Sequence, residues 1–147
     1  MAKLIQTWLP VVVWCGVIFF FSSLTSVPTP FLVWWDVLLK KTAHIIEFGI
    51  LFILLYRATA LNFNNNKEKQ IIILAGLLAV CYAISDEYHQ RFTFGRTSTY
   101  RDVLVDILGI ILAAYFLSWL KNNQENLVFY KSLYTLNKIK RLINYYY

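Results

Sequence analysis

Apolar and polar stretches alternate along this chain, and each apolar stretch is as long as a membrane crossing. Four such stretches run from about Leu4 to Phe21, Lys41 to Ala60, Ile71 to Gln90 and Arg101 to Leu120. About 20 mostly apolar residues in an α-helix cross the hydrocarbon core of a bilayer. Each stretch is therefore predicted as a transmembrane helix. The first connection, Thr25 to Lys40, is broken by Pro28 and Pro30 and carries Phe31, Trp34 and Trp35. Those aromatics suit a membrane–water boundary. Asn62 to Gln70 is a polar turn, and Arg91 to Tyr100 contains the turn residue Gly95. Pro10 kinks the first helix or marks its first turn. A secretory signal peptide is the rival reading of this first stretch. Its length, and the lack of a small-x-small cleavage pattern in Ser22-Ser23-Leu24-Thr25-Ser26, predict a retained span.

The pattern changes after Leu120. Phe129, Leu133, Leu136, Ile143 and Tyr146 can share one helix face, with Lys131, Lys138, Lys140 and Arg141 largely off it. That predicts an interfacial amphipathic helix on an anionic leaflet, with a basic unstructured tail as the alternative. The expected fold is all-α: an integral membrane bundle of four helices over residues 1–120, then a basic tail over 121–147.

Composition supports this assignment. The chain is 59% hydrophobic and 15% charged, against about 45–50% apolar residues in soluble domains. Its net charge of +6 is spread beside the spans rather than gathered in one patch. Nucleic acid is therefore not an expected partner, whereas the lipid bilayer is. With four spans, nine Lys and Arg fall on the side of the termini and five on the other. That bias predicts both termini in the cytoplasm. Cys15 and Cys81 lie inside spans and form neither a disulfide framework nor a Cys-rich zinc site.

The polar residues within the spans are placed unevenly. Asp36, Glu47, Asp86, Glu87, Asp102, Asp106 and both histidines fall in the outer half, while only Glu68 and Glu125 fall inside. Lys40, His44 and Glu47 share one helical face, as do Asp86, His89 and Gln90. Glu87 pairs more naturally with Gln90 and Arg91. Asp102, Asp106 and Gly109 share a third face, where Gly109 can admit a neighbouring helix closely. Ionisable groups at membrane depth are costly and by default mark a functional site.

Three uses fit a pocket built from these faces. His44, Glu47, Asp86 and His89 are candidate general acids and bases. The same four are candidate ligands for a divalent metal, since carboxylate/His pairs at i, i+3 build metal sites in helical bundles. Lys41 and Arg96 would hold an anionic head group, with Asp102 orienting one cation and Glu87, Gln90 and Asp106 lining the pocket. In the plainer alternative, these groups satisfy one another and fix helix packing, through pairs such as Lys41 with Asp102 or Glu47 with Arg96. Ser22 and Ser23 either line the pocket or bond to their own helix backbone. Arg91 and Arg101 taken singly read as snorkelling interfacial groups. No Walker loop, nucleophile elbow, His-Glu-x-x-His helix or dinucleotide fingerprint is present, which disfavours a cytosolic nucleotide enzyme.

Three motifs carry a family resemblance: Lys41-x-x-His44-x-x-Glu47-Phe48, Ser85-Asp86-Glu87-x-His89-Gln90-x-Phe92, and Gly95-Arg96 followed after five residues by Asp102, then Gly109. Their order and spacing resemble the VanZ-like family of small bacterial membrane proteins over about residues 5 to 118. Phe94 stands where the family often has proline, and Asp106 where asparagine is common. The founding member is associated with low-level resistance to teicoplanin. The resemblance implies a multi-pass protein of the bacterial cytoplasmic membrane acting in the cell envelope. The expected activity is to bind or modify an anionic lipid or lipid-linked wall intermediate in a pocket facing outside. For an enzyme, that would be hydrolysis or transfer at a lipid phosphate. The alternatives are a non-catalytic binding or shielding protein and a small transporter. A transporter needs polar groups across the whole bilayer, and the inner halves of these spans are almost uniformly apolar.

Overall fold

A backbone in hydrocarbon must satisfy its own hydrogen bonds, and within one segment only a helix does so. The apolar stretches accordingly form four helices: α1 (Ala2–Ser23), α2 (Val33–Asn62), α3 (Glu68–Gln90) and α4 (Tyr100–Asn122). The computed structural model describes residues 2–24, 33–62, 68–93 and 99–123, and among these there is no strand. Phe94, Gly95, Arg96 and the tail from residue 124 lie outside the described residues, and with them the expected amphipathic helix. Three helices are long and apolar enough to cross a membrane, over Leu4–Ser23, Glu68–Gln90 and Tyr100–Lys121.

α2 differs from expectation. It begins at Val33 rather than near Lys41 and runs for 30 residues. Hydropathy locates hydrocarbon, not helix. Asp36, Lys40 and Lys41 end the apolar run, yet none of them breaks a helix once Pro30 has been passed. α2 also carries Glu47 and Arg57 in its interior. It buries Phe48, Leu51, Phe52, Leu55, Ala58 and Thr59, holds Glu47 half-buried and turns Arg57 outward.

The cross-helix contacts fix the helix directions. Tyr82 meets Cys15, and His89 meets Phe19, so α1 and α3 run parallel. His44 meets Asp106, and Gly49 meets Ala113, so α2 and α4 run parallel. α1 buries Thr7, Val11, Ile18 and Ser22 along one stripe. α3 buries Ala75, Ala79 and Ala83 at four-residue intervals. Such small side chains let helices approach closely where lipid supplies no hydrophobic drive.

The α2–α4 seam is tighter still. A Cβ built on Gly109 would lie 2.9 Å from the Ile45 Cα and closer still to the Ile45 carbonyl oxygen. Gly49 faces the Gly109 carbonyl oxygen from the other side. Gly109 therefore admits its neighbour as its place beside Asp106 predicts. Beyond Ala114, α4 enters a second unit, in which Phe116 stacks on Trp119 at 6.2 Å.

Candidate functional site

Helical spacing puts the polar residues of α2, α3 and α4 on inward faces near one end of the bundle. Lys41, one turn before His44, is exposed, and Gln90 ends α3. The strongest link is between α2 and α4. His44 Nδ1 lies 2.9 Å from Asp106 Oδ1, with the side chains 17% and 1% exposed. With Asp106 ionised, its carboxylate only accepts, so Nδ1 would carry the proton and Nε2 would be left as the basic nitrogen. The His44 ring stacks on Phe48 at 6.2 Å, which fixes its plane.

On α3, Gln90 Nε2 donates to Asp86 Oδ2 at 2.7 Å. Asp86 and Glu87 are each 4% exposed and Gln90 is 5% exposed. Asp86 lies within electrostatic reach of both His44 and Asp106, and Glu47 within reach of His44. His89 sits on the Phe19 ring of α1, centroids 4.4 Å apart. Among the described residues, Asp86 Oδ1, Asp106 Oδ2, His89 Nδ1 and Ser22 Oγ are buried atoms without a hydrogen-bond partner. Buried polar groups are nearly always paired, so four such atoms at one end of the bundle are informative.

The structure brings His44, Glu47, Asp86, Gln90 and Asp106 within reach of one another, while Glu87 is buried on the same helix as Asp86 and His89 stands against Phe19 of α1. It does not bring in Lys41, which is exposed. Arg91 and Arg101 are exposed at helix ends, with Arg101 over the Tyr100 ring at 6.0 Å, as snorkelling groups would be. Asp102 bonds at the start of its own helix. Its Oδ2 accepts from the Thr99 hydroxyl at 2.8 Å and the Thr99 backbone N–H at 3.2 Å. It thus ties down the first turn of α4. Ser23 donates to its own helix at the Phe19 carbonyl, 2.7 Å away, whereas Ser22 does not. Among the described residues, no three His, Cys, Asp or Glu side chains converge as metal ligands.

Two supporting contacts escaped the sequence reading. Trp14 Nε1 donates to the Glu47 carbonyl at 2.9 Å, and the Tyr82 hydroxyl donates to the Cys15 carbonyl at 2.6 Å. Both residues sit inside apolar runs, where nothing local marks them. Thr99 did carry a signal, because Thr99-x-x-Asp102 ahead of an apolar run has capping-box spacing.

The VanZ/LLP1 family model matches residues 7–121. No curated protein and no solved structure matches the chain. The matched region takes in α1 through the apolar length of α4, together with every polar side chain of the cluster, and the chain belongs to the VanZ/LLP1 family.

Proposed function

We propose that this VanZ-family membrane protein receives a lipid head group, or the head of a lipid-linked wall intermediate, in a pocket formed by the polar ends of α2, α3 and α4. The observation that carries this reading is the buried cluster itself. Polar side chains from three helices meet at one level of an otherwise apolar bundle, and several of their atoms remain without partners among the described residues. If packing were their only task, mutual hydrogen bonds would use those atoms up.

The chemistry has two parts. Lys41 and Arg91 are exposed about one turn beyond the cluster, where they would meet a phosphate; Arg96 joins them by sequence. His44, with its Nδ1 proton held by Asp106, presents Nε2 as a base, and Glu47 stands one turn along the same helix. This favours hydrolysis or transfer at a lipid phosphate over passive binding, because packing alone does not need an oriented imidazole. In this reading α2 acts as the fourth span, both termini are cytoplasmic and the pocket faces outside, which the nine-to-five distribution of Lys and Arg supports. A role related to teicoplanin resistance would rest on family membership alone.

The test is lipid and precursor analysis of cells carrying Glu47→Gln, Asp86→Asn or His44→Ala, beside wild type and a deletion strain. Catalysis predicts a changed pool that wild type restores and the variants do not. Binding without catalysis predicts unchanged pools, with lipid co-purification lost in the variants. Full complementation and normal co-purification by all three well-expressed variants would refute the pocket. Cysteine tagging at Thr97 and Asn65 tests orientation, with Thr97 expected to react from outside and Asn65 from inside.

A further inference from the structure

We infer that the buried part of the cluster receives a protonated primary amine. The inference deepens the reading above and rests on it, by naming the group that enters beyond the phosphate.

Charge is the first reason. The two buried carboxylates Asp86 and Asp106 lie within electrostatic reach of each other and share one imidazole, that of His44. Even with that imidazole protonated, two ionised carboxylates leave this group of three with an excess negative charge. An anion entering such a site is repelled, and a cation is drawn in.

Unmet acceptors are the second reason. Asp86 and Asp106 are both more than nine-tenths buried. Each spends one oxygen inside the cluster, on Gln90 and His44 respectively. The other oxygen of each, Asp86 Oδ1 and Asp106 Oδ2, has no donor among the described residues. Asp86 lies within electrostatic reach of Asp106. His89 Nδ1, on the same face of α3 as Asp86, is a third unpartnered atom and accepts in one tautomer. A primary ammonium brings three N–H donors and one positive charge, which answers both needs at once. A quaternary ammonium brings the charge without the donors, and a bare phosphate brings neither.

The site is therefore bipolar, with basic groups at its rim and acceptors inside. Two envelope molecules join an amine to a phosphate in this order: an ethanolamine phospholipid, and a lipid-linked wall intermediate bearing a free peptide amine. Both share the chemistry argued here.

The test uses the full chain in nanodiscs of phosphatidylglycerol mixed with equal phosphatidylethanolamine or phosphatidylcholine, and a third set with a lysine-containing lipid-linked muropeptide in phosphatidylglycerol. The readout is the thermal midpoint. An amine ligand raises it by a few degrees over the choline mixture, by mass action. A rise with the ethanolamine lipid identifies the phospholipid source, and one confined to the muropeptide identifies the wall source. Asp106→Asn and Asp86→Asn keep the shape and one acceptor oxygen for His44 or Gln90 but remove the charge and the second acceptor, and they abolish the difference. Equal midpoints in all three sets overturn the inference, as does a difference that persists in both variants. An amine response that appears only in Arg96→Gln also overturns it, because Arg96 would then be the native counter-charge. If the cellular lipid phenotype of Asp86→Asn stands while amine dependence is absent, the inference fails and the pocket reading survives. If both are absent, both fail.

Discussion

Replacing Gly109 with alanine probes the contact that holds α2 and α4 together. The added Cβ would lie 2.9 Å from the Ile45 Cα and 3.0 Å from its carbonyl carbon. Ordinary contact begins near 3.4 Å. These are backbone atoms, so no rotamer change relieves the clash, and α4 must retreat by at least the half ångström separating 2.9 from 3.4 Å. Overpacking of this kind costs about 1–3 kcal/mol. The same retreat stretches the 2.9 Å bond between His44 and Asp106 along that seam. Interhelical hydrogen bonds in membranes contribute about 0.6 kcal/mol on average and at most about 1.7 kcal/mol. Better helix propensity returns up to about 1 kcal/mol. The expected net loss is about 1–3 kcal/mol. Three further glycines calibrate it. A Cβ at Gly16 or Gly76 meets nothing within 4 Å, so alanine there is neutral or stabilising. At Gly49 the nearest atoms stand at 3.4 and 3.7 Å, so alanine there is tolerated to within about 1 kcal/mol. The assay is equilibrium unfolding of the four variants and wild type in one detergent, followed by tryptophan fluorescence. If Gly109→Ala unfolds together with Gly76→Ala, α2 and α4 do not approach as described.

Three other outcomes follow from the same geometry. A double-mutant cycle of His44→Ala and Asp106→Ala should give a coupling of about 0.6–1.7 kcal/mol; additive losses would mean the pair is not formed. Tyr82→Phe, which deletes only the donor to the Cys15 carbonyl, should lower unfolding stability by about 1 kcal/mol, and no change would remove that link between α1 and α3. Thr99→Ala and Asp102→Ala should each cost about 1 kcal/mol at the start of α4. Together they should cost little more than either alone, and full additivity would show that Asp102 acts elsewhere.

Much of the fold was legible because the bilayer imposes it. Hydrocarbon leaves a chain segment no way but a helix to satisfy its backbone, so four apolar runs mean four helices. α2 outruns its apolar stretch because hydropathy reports the solvent and not the backbone. Val33 to Lys40 is helical although its charges place it beyond the apolar run. The faces that carry the polar cluster were also legible. The 3.6-residue period puts His44 with Glu47, and Asp86 with His89 and Gln90, on single faces, and distance from the span ends sets their depth.

Sequence alone thus determined the helices, the face each polar residue occupies and the level it reaches. Tertiary structure decided the partners. Asp106 could have met Lys41 or either histidine by depth alone, and it meets His44 because Gly49 and Gly109 let α4 settle against α2 in one rotation. Trp14 and Tyr82 were invisible in apolar runs until α1 and α3 lay side by side. The physical reason is that helical period fixes angles within one helix, whereas its rotation against a neighbour depends on which side chains are small enough to permit contact. That rotation decides which buried oxygens find a donor among the described residues and which do not.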